Sequence, residues 1–275
     1  MPGTRVSAGL RTRPLTRLGA WLIRASTVVD NGYRRFDRVR SELVAALASD
    51  AVLDRFNEIA YGQTQAYLPD AADFRAYLFP WEEAVVREHF PQPPARILVG
   101  GAGGGREPLA LADMGYEVVA FDPAEPLISA LARRAPANIV ALEGAYEDMN
   151  TLFAEGETFD AAIVGWGSFS HLRDEPSRVA TLRSFGRLTA GPILVSFLAL
   201  KAGAMAPRLA RLRRVLPRRP DRDAQDIFAV SIGFYHPVDE QEVRRLAEAA
   251  GLEVTHLSFD TRDTNWPHVV LRRRQ

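Results

Sequence analysis

The chain has 275 residues, 47% of them hydrophobic and 25% charged, an ordinary globular composition with room for one large domain or a domain plus an appendage. Lys plus Arg and Asp plus Glu both number 34, so the net charge is zero and no overall field favours a polyanion. There is no cysteine, which excludes disulfides, thiolate metal sites and cysteine nucleophiles, and a reducing, cytoplasmic setting is expected. No apolar run approaches the ~18 residues of a spanning helix, and the Arg-rich start lacks the apolar core of a secretory signal.

Residues 1–24 carry Arg5, Arg11, Arg13, Arg17 and Arg24 with no acid among them. Leu15, Leu18, Trp21 and Leu22 fall at helical spacing. Such a helix could serve a membrane surface or a partner; the expectation is a helix packed on its own domain with its basic face in water. Between residues 34 and 60, Phe36, Val39, Leu43, Val44 and Leu47, then Leu53, Phe56 and Ile59, repeat at three and four and read as helical. Tyr61, Tyr67, Phe74, Tyr77, Phe79 and Trp81 follow, broken by Pro69 and Pro80. Residues 1–80 are expected to form a helical cap. A helix from Trp81 leads through Pro91-Gln92-Pro93-Pro94 into the main domain, 81–275.

The main domain opens with its most informative stretch, residues 95–123. Ile97, Leu98 and Val99 form a continuous apolar run, as a strand buried on both faces should. Glycines follow at 100, 101, 103, 104 and 105, then Leu109, Leu111, Ala112 and Met114 at roughly helical spacing, with Gly115 placed to close the helix. Residues 116–121 read as a second strand ending at Asp122. Strand, glycine loop, helix, strand and acid make half of a nucleotide-binding α/β unit. The glycines let a ligand lie against bare backbone, the helix N-terminus offers free N–H groups, and a strand-end carboxylate can accept ribose hydroxyls.

This stretch resembles motif I and the following acid of class I S-adenosylmethionine-dependent methyltransferases, in Gly101-Ala102-Gly103-Gly104-Gly105 and in Asp122-Pro123. The resemblance covers about residues 80–275. It implies an α/β fold, a seven-stranded, mostly parallel, doubly wound sheet with an antiparallel C-terminal strand pair, and S-adenosyl-L-methionine as cofactor. It implies that Gly101, Ala102, Gly103 and Gly105 lie against the cofactor, with Asp122 on its ribose and Pro123 beside it. It also implies that segments ahead of the glycine loop close over the ligands as a lid. Tyr61 and Tyr67, flanking the polar GQTQ, are the substrate-side candidates there; otherwise the rings fill core.

After helix residues Leu127, Ile128, Leu131 and Ala132, the third strand is read at 138–142. In the resembled family the turn after it holds the adenine, often through an acid; here Ala145 stands in that place and Tyr146 follows. Glu147 or Asp148 could supply the missing contact, or could simply favour a helix start. The fourth strand, 159–164, leads into Gly165-Trp166-Gly167-Ser168-Phe169-Ser170-His171, beyond a strand end where ligands bind. Gly165 and Trp166 are therefore cofactor candidates. The chain lacks the Asp/Asn-Pro-Pro-aromatic motif of base-amine methylating enzymes, so nucleic acid is not expected as substrate. A small molecule is.

A helix at 176–188 and a strand at 192–197 precede a basic insertion, about 201–230. Its arginines, Arg211 and Arg214 among them, either form a solvated face or hold an anionic acceptor. A helix from Asp239 and strands at 252–259 and 268–271 end the domain. Among five histidines, His171 and His236 are the general-base candidates, and Tyr235 beside His236 is a substrate candidate. No metal is expected, and a homo-oligomer is left open. The reading is methyl transfer to a small acceptor, at oxygen. The alternatives are a nicotinamide-dependent reductase and a catalytically silent binding protein.

Overall fold

Three helices precede the sheet in the computed structural model, which describes residues 14–62, 74–199, 223, 225–230, 232–262 and 266–274. They are α1 (Pro14–Leu47), α2 (Asp50–Gly62) and α3 (Pro80–His89). The alternating part runs β1 (Arg96–Gly100), α4 (Arg106–Asp113), β2 (Glu117–Asp122), α5 (Glu125–Arg134), β3 (Ile139–Glu143), α6 (Met149–Leu152), β4 (Ala161–Val164), α7 (Glu175–Leu188) and β5 (Ile193–Ser196). A hairpin of β6 (Ile227–Ala229) and β7 (Gly233–Tyr235) follows, then α8 (Glu240–Ala249), β8 (Leu252–Ser258) and β9 (His268–Arg273).

The main sheet has the order β3-β2-β1-β4-β5-β9-β8. Its first five strands are parallel, and β9 pairs antiparallel with both β5 and β8. β4 and β5 are buried throughout, because helices cover both faces, and this explains their unbroken apolar runs. One core layer joins Phe121, Phe153, Phe185 and Leu246; the opposite layer joins Val86, Ile97, Leu111 and Leu131. The strand order reverses between β1 and β4. The loops leaving these two strands therefore meet over one crevice, the ordinary ligand site of an open α/β sheet.

The N-terminal part departs from the sequence reading. Residues 14–47 form one helix rather than two, and most of its apolar side chains are not packed on the domain: Leu18, Trp21, Leu22, Phe36 and Val39 are all exposed. Only the end of α1 docks. Ser41 exchanges hydrogen bonds with the Phe228 carbonyl and N–H, and Ala45, Leu53, Phe228 and Phe234 make a separate small core. The hairpin that receives α1 and α2 was absent from the sequence reading. Gly233 is required there: its φ is +84°, and a Cβ would come within 1.9 Å of Asn57 Oδ1.

Candidate active site

The glycine loop is tight because its surroundings leave no room for side chains. Gly101 and Gly105 have φ of +68° and +94°. A Cβ on Gly101 would lie 2.7 Å from both Tyr146 Oη and Ser168 Oγ, and one on Gly105 would lie 2.4 Å from Leu131. Gly165, leaving β4, donates its N–H to the Gly100 carbonyl at 2.7 Å, and a Cβ there would strike the Gly101 carbonyl oxygen. The two loops thus touch backbone to backbone. Asp122, at the tip of β2, is buried. Its Oδ2 accepts the Gly103 N–H at 2.7 Å and its Oδ1 accepts the Ala124 N–H at 2.8 Å. Burial pushes its carboxyl above the usual range, against the pull of those two N–H groups.

Tyr146 packs edge-on against Phe121 and Phe185. Its hydroxyl lies 2.6 Å from Ser168 Oγ, which in turn donates to the Gly165 carbonyl at 2.7 Å, so the phenol is the donor to Ser168. Burial raises the phenol well above its usual range. Tyr146 therefore forms a floor under the glycine loop. Ala145 donates its N–H to Asp148 at 2.9 Å, so Asp148 holds the turn in which Ala145 and Tyr146 sit, and Glu147 is exposed.

At the start of α4, Arg106 binds Glu82 through two hydrogen bonds of 2.7 and 2.8 Å, Glu107 at 2.6 Å and the Tyr77 carbonyl at 2.9 Å. Its guanidinium lies 4.2 Å from the Phe79 ring centroid. Glu82 and Glu107 are buried, and Glu107 also accepts the Trp166 N–H at 3.3 Å. The Trp166 ring sits between those of Phe79 and Trp266. Burial raises Glu82, which Arg106 opposes. With Asp122, three buried carboxylates and one guanidinium surround the glycine loop.

His171 ends the 3-10 turn after Gly167. Its Nδ1 lies 2.6 Å from the Phe234 carbonyl, which can only accept, so Nδ1 carries the proton. Burial keeps the ring below its usual pKa and hence neutral. Nε2 then carries the lone pair, and it meets the Tyr61 hydroxyl at 2.9 Å. The same hydroxyl lies 2.9 Å from the Ile232 carbonyl. Tyr235 is half-buried on β7, with its phenol raised by burial.

His236 is placed otherwise. It is fully buried, with Nδ1 2.8 Å from Asp226 and Nε2 2.9 Å from Glu242. Burial lowers its pKa, but the hydrogen bonds to Asp226 and Glu242 outweigh that and the net shift is upward. Both nitrogens thus carry protons and donate to carboxylates, and no lone pair is left to accept one. The base role expected of His236 does not fit this geometry; its place is structural. Asp223, Asp226 and His236 have the donor types of a metal site. Here the cations are the imidazolium and Arg178, which is buried and bonds Asp223 at 2.9 Å.

Residues 97–190 match a sequence family described as a methyltransferase domain. Over that stretch the sequence is similar to methyltransferase domains. Solved methyltransferases share its fold. CcbJ from Streptomyces caelestis superposes with a TM-score of 0.55 at 18% identity, over 79% of this chain and 99% of its own. The 1,6-didemethyltoxoflavin-N1-methyltransferase of Burkholderia thailandensis gives 0.56 at 18% identity, over 82% and 89%. The glycopeptide N-methyltransferase MtfA, solved with S-adenosylmethionine, gives 0.53 at 21%, over 75% and 98%. A search of the curated proteins finds no match.

The crevice between the β1 and β4 loops brings together Gly101, Ala102, Gly103, Gly105, Asp122, Tyr146, Gly165 and Trp166, with Pro123 and Ala145 following Asp122 and preceding Tyr146 in the chain. Tyr61 and His171 meet beside it, and Tyr235 lies on the same hairpin as the carbonyl that holds His171. Tyr67, Arg211 and Arg214 lie outside the described residues. Sequence reasoning missed Arg106, Glu107 and Glu82. Their one signal was the pair of charges written directly after five glycines.

Proposed function

We propose that this domain transfers the methyl group of S-adenosyl-L-methionine to a small-molecule acceptor, at oxygen. The bound cofactor would supply a methyl group on an electrophilic sulfonium. Gly101, Gly103 and Gly105 would present bare backbone to it. Asp122 would take the ribose hydroxyls, since each carboxylate oxygen has a second acceptor position beyond the backbone N–H it already binds. The observation that carries this reading is charge: Asp122, Glu107 and Glu82 outnumber Arg106 in a buried site. An excess of buried negative charge suits a ligand bearing sulfonium and ammonium groups. It opposes the pyrophosphate of a dinucleotide, which needs the same helix N-terminus free of a carboxylate. A dinucleotide oxidoreductase also more often continues as alternating parallel units than ends in an antiparallel pair such as β8–β9.

For the acceptor, neutral His171, whose Nε2 lone pair meets the Tyr61 phenol, supports deprotonation of a hydroxyl, through that phenol or in its place. The rest of the work is alignment and exclusion of water. Arginines of the basic insertion, Arg211 and Arg214, would recognise an anionic group on that acceptor; sequence alone supports this. Incubation with methyl-labelled S-adenosylmethionine and a fractionated small-molecule extract should place label on an alkali-stable product, with S-adenosylhomocysteine formed in equal amount. Label found only on macromolecules, or none with any fraction, would reject the reading.

A further inference from the structure

The long helix α1 presents an apolar seam that its own domain does not use. Leu18, Leu22, Ala25, Val29, Gly32, Phe36, Val39 and Leu43 follow one another at intervals of four and three residues, the strict heptad pattern of a coiled-coil seam. Leu18, Leu22, Val29 and Phe36 are 50–68% exposed. Ser41 and Ala45, buried where α1 docks on the domain, stand about 160° round the helix from Leu43 at ~100° per residue, and Val44 and Ala46, also against the body, follow the last seam residue. The seam therefore faces away from the body that holds the helix. Trp21, Val28 and Tyr33 flank it and are exposed as well.

We propose that α1 pairs antiparallel with α1 of a second copy of this chain, so that the N-terminal half of each helix lies along the C-terminal half of the other. The order of large and small residues selects this occupant and this direction. With residues 30 and 31 at the two-fold axis, Phe36 of one copy meets Ala25 of the other, Val29 meets Gly32, Leu22 meets Val39 and Leu18 meets Leu43. Each small residue then has a larger one opposite, as close packing requires. A parallel pair would set Gly32 on Gly32 and Ala25 on Ala25, emptying two layers on either side of Val29. It would also oppose Arg35 to Arg40 across the seam's edge. Such an isologous contact closes on itself as a dimer.

The area suffices. Trp21, Tyr33 and Phe36, each about two-thirds exposed, can alone bury about 300–500 Å² per protomer. The aliphatic seam adds enough to reach the ~1,200 Å² total of a stable interface. A lipid surface would accept bulky residues along the whole stripe and has no use for Gly32 and Ala25 at alternate seam positions.

Sedimentation equilibrium on the full chain over a wide concentration range should give twice the chain mass. Leu22→Glu with Val29→Glu should give the monomer with unchanged circular dichroism, since neither side chain packs on the domain. Thr27→Glu, on the outer face, should remain dimeric. The chain has no cysteine, so Ala20→Cys carries a single spin label. Antiparallel pairing predicts a label separation of about 30 Å, parallel pairing under about 20 Å. A wild-type monomer at every concentration, a dimer that survives the double substitution, or the short label distance would each overturn the proposal. Sedimentation of a monomer with phosphatidylserine vesicles would overturn it too, in favour of a bilayer.

Discussion

Asp122 spends both carboxylate oxygens on backbone N–H groups, those of Gly103 and Ala124, before any ligand arrives. Its removal should therefore weaken the cofactor and loosen the loop together. Asp122→Ala is expected to lose about 1.5–3 kcal/mol of S-adenosylmethionine affinity, the range for hydrogen bonds to a charged group, or about ten- to hundred-fold in Kd by calorimetry. Asp122→Asn, which keeps an acceptor for Gly103, should lose less. His171 sets a second test. Burial holds its pKa below about 6.5, so the acid limb of kcat should lie below the ordinary imidazole value. His171→Gln should lower kcat by about 10²-fold or more and abolish that limb. A His171→Gln enzyme with normal kcat and an unchanged profile would leave proximity alone. The places of Gly101 and Asp122 were legible because spacing alone fixes their neighbours. Those of Arg106 and Glu107 were not, because two adjacent charges at a helix start look like solvated surface until Glu82 and Phe79 from a distant segment close over them.

The elements joined late in the chain depend on one ionic knot. Arg178 of α7, Asp226 ahead of β6, His236 after β7 and Glu242 of α8 are all buried, and Asp223 completes the set. His236 is the centre, held as an imidazolium by two carboxylates. Its folded pKa is raised above the unfolded value of about 6.5, so its contribution to stability is fully present below that pH. The contribution is lost as pH rises through the folded pKa. His236→Ala should cost about 3–5 kcal/mol in urea unfolding near pH 6, because buried Asp226 and Glu242 lose the cation between them and keep only the Asp223 N–H, Gln225 and Arg178. The cost should shrink at alkaline pH, and a cost that stays constant from pH 6 to 10 would contradict the charged assignment. The strands and helices of the α/β core were legible from buried apolar runs and glycine stops. The β6–β7 hairpin was not: its strands are three residues long, and their burial comes from α1 and α2, nearly two hundred residues earlier in the chain.

At the scale of the whole molecule, charge balance is misleading in a useful way. The chain is neutral, yet three carboxylates, Glu82, Glu107 and Asp122, are buried around the crevice, while arginines are dense in sequence at both the N-terminus and the insertion. Net charge says nothing of the buried carboxylates, which only folding brings together. They make the ligand's sign the sharpest whole-molecule test. A cofactor that binds only the native state stabilises it by about 2.7 kcal/mol at a hundred times its Kd. For a chain of this size that is a rise in Tm of about 5–10 °C. S-adenosylmethionine should produce that rise, and NAD or NADP at equal concentration should not. Glu107→Gln removes one buried negative charge beside Arg106 and the Trp166 N–H. It should reduce the S-adenosylmethionine shift by more than that of S-adenosylhomocysteine, which lacks the sulfonium charge. Equal loss for both ligands would confine Glu107 to the shared ammonium or to the scaffold. A larger shift with NADP than with S-adenosylmethionine would overturn the assignment of the crevice.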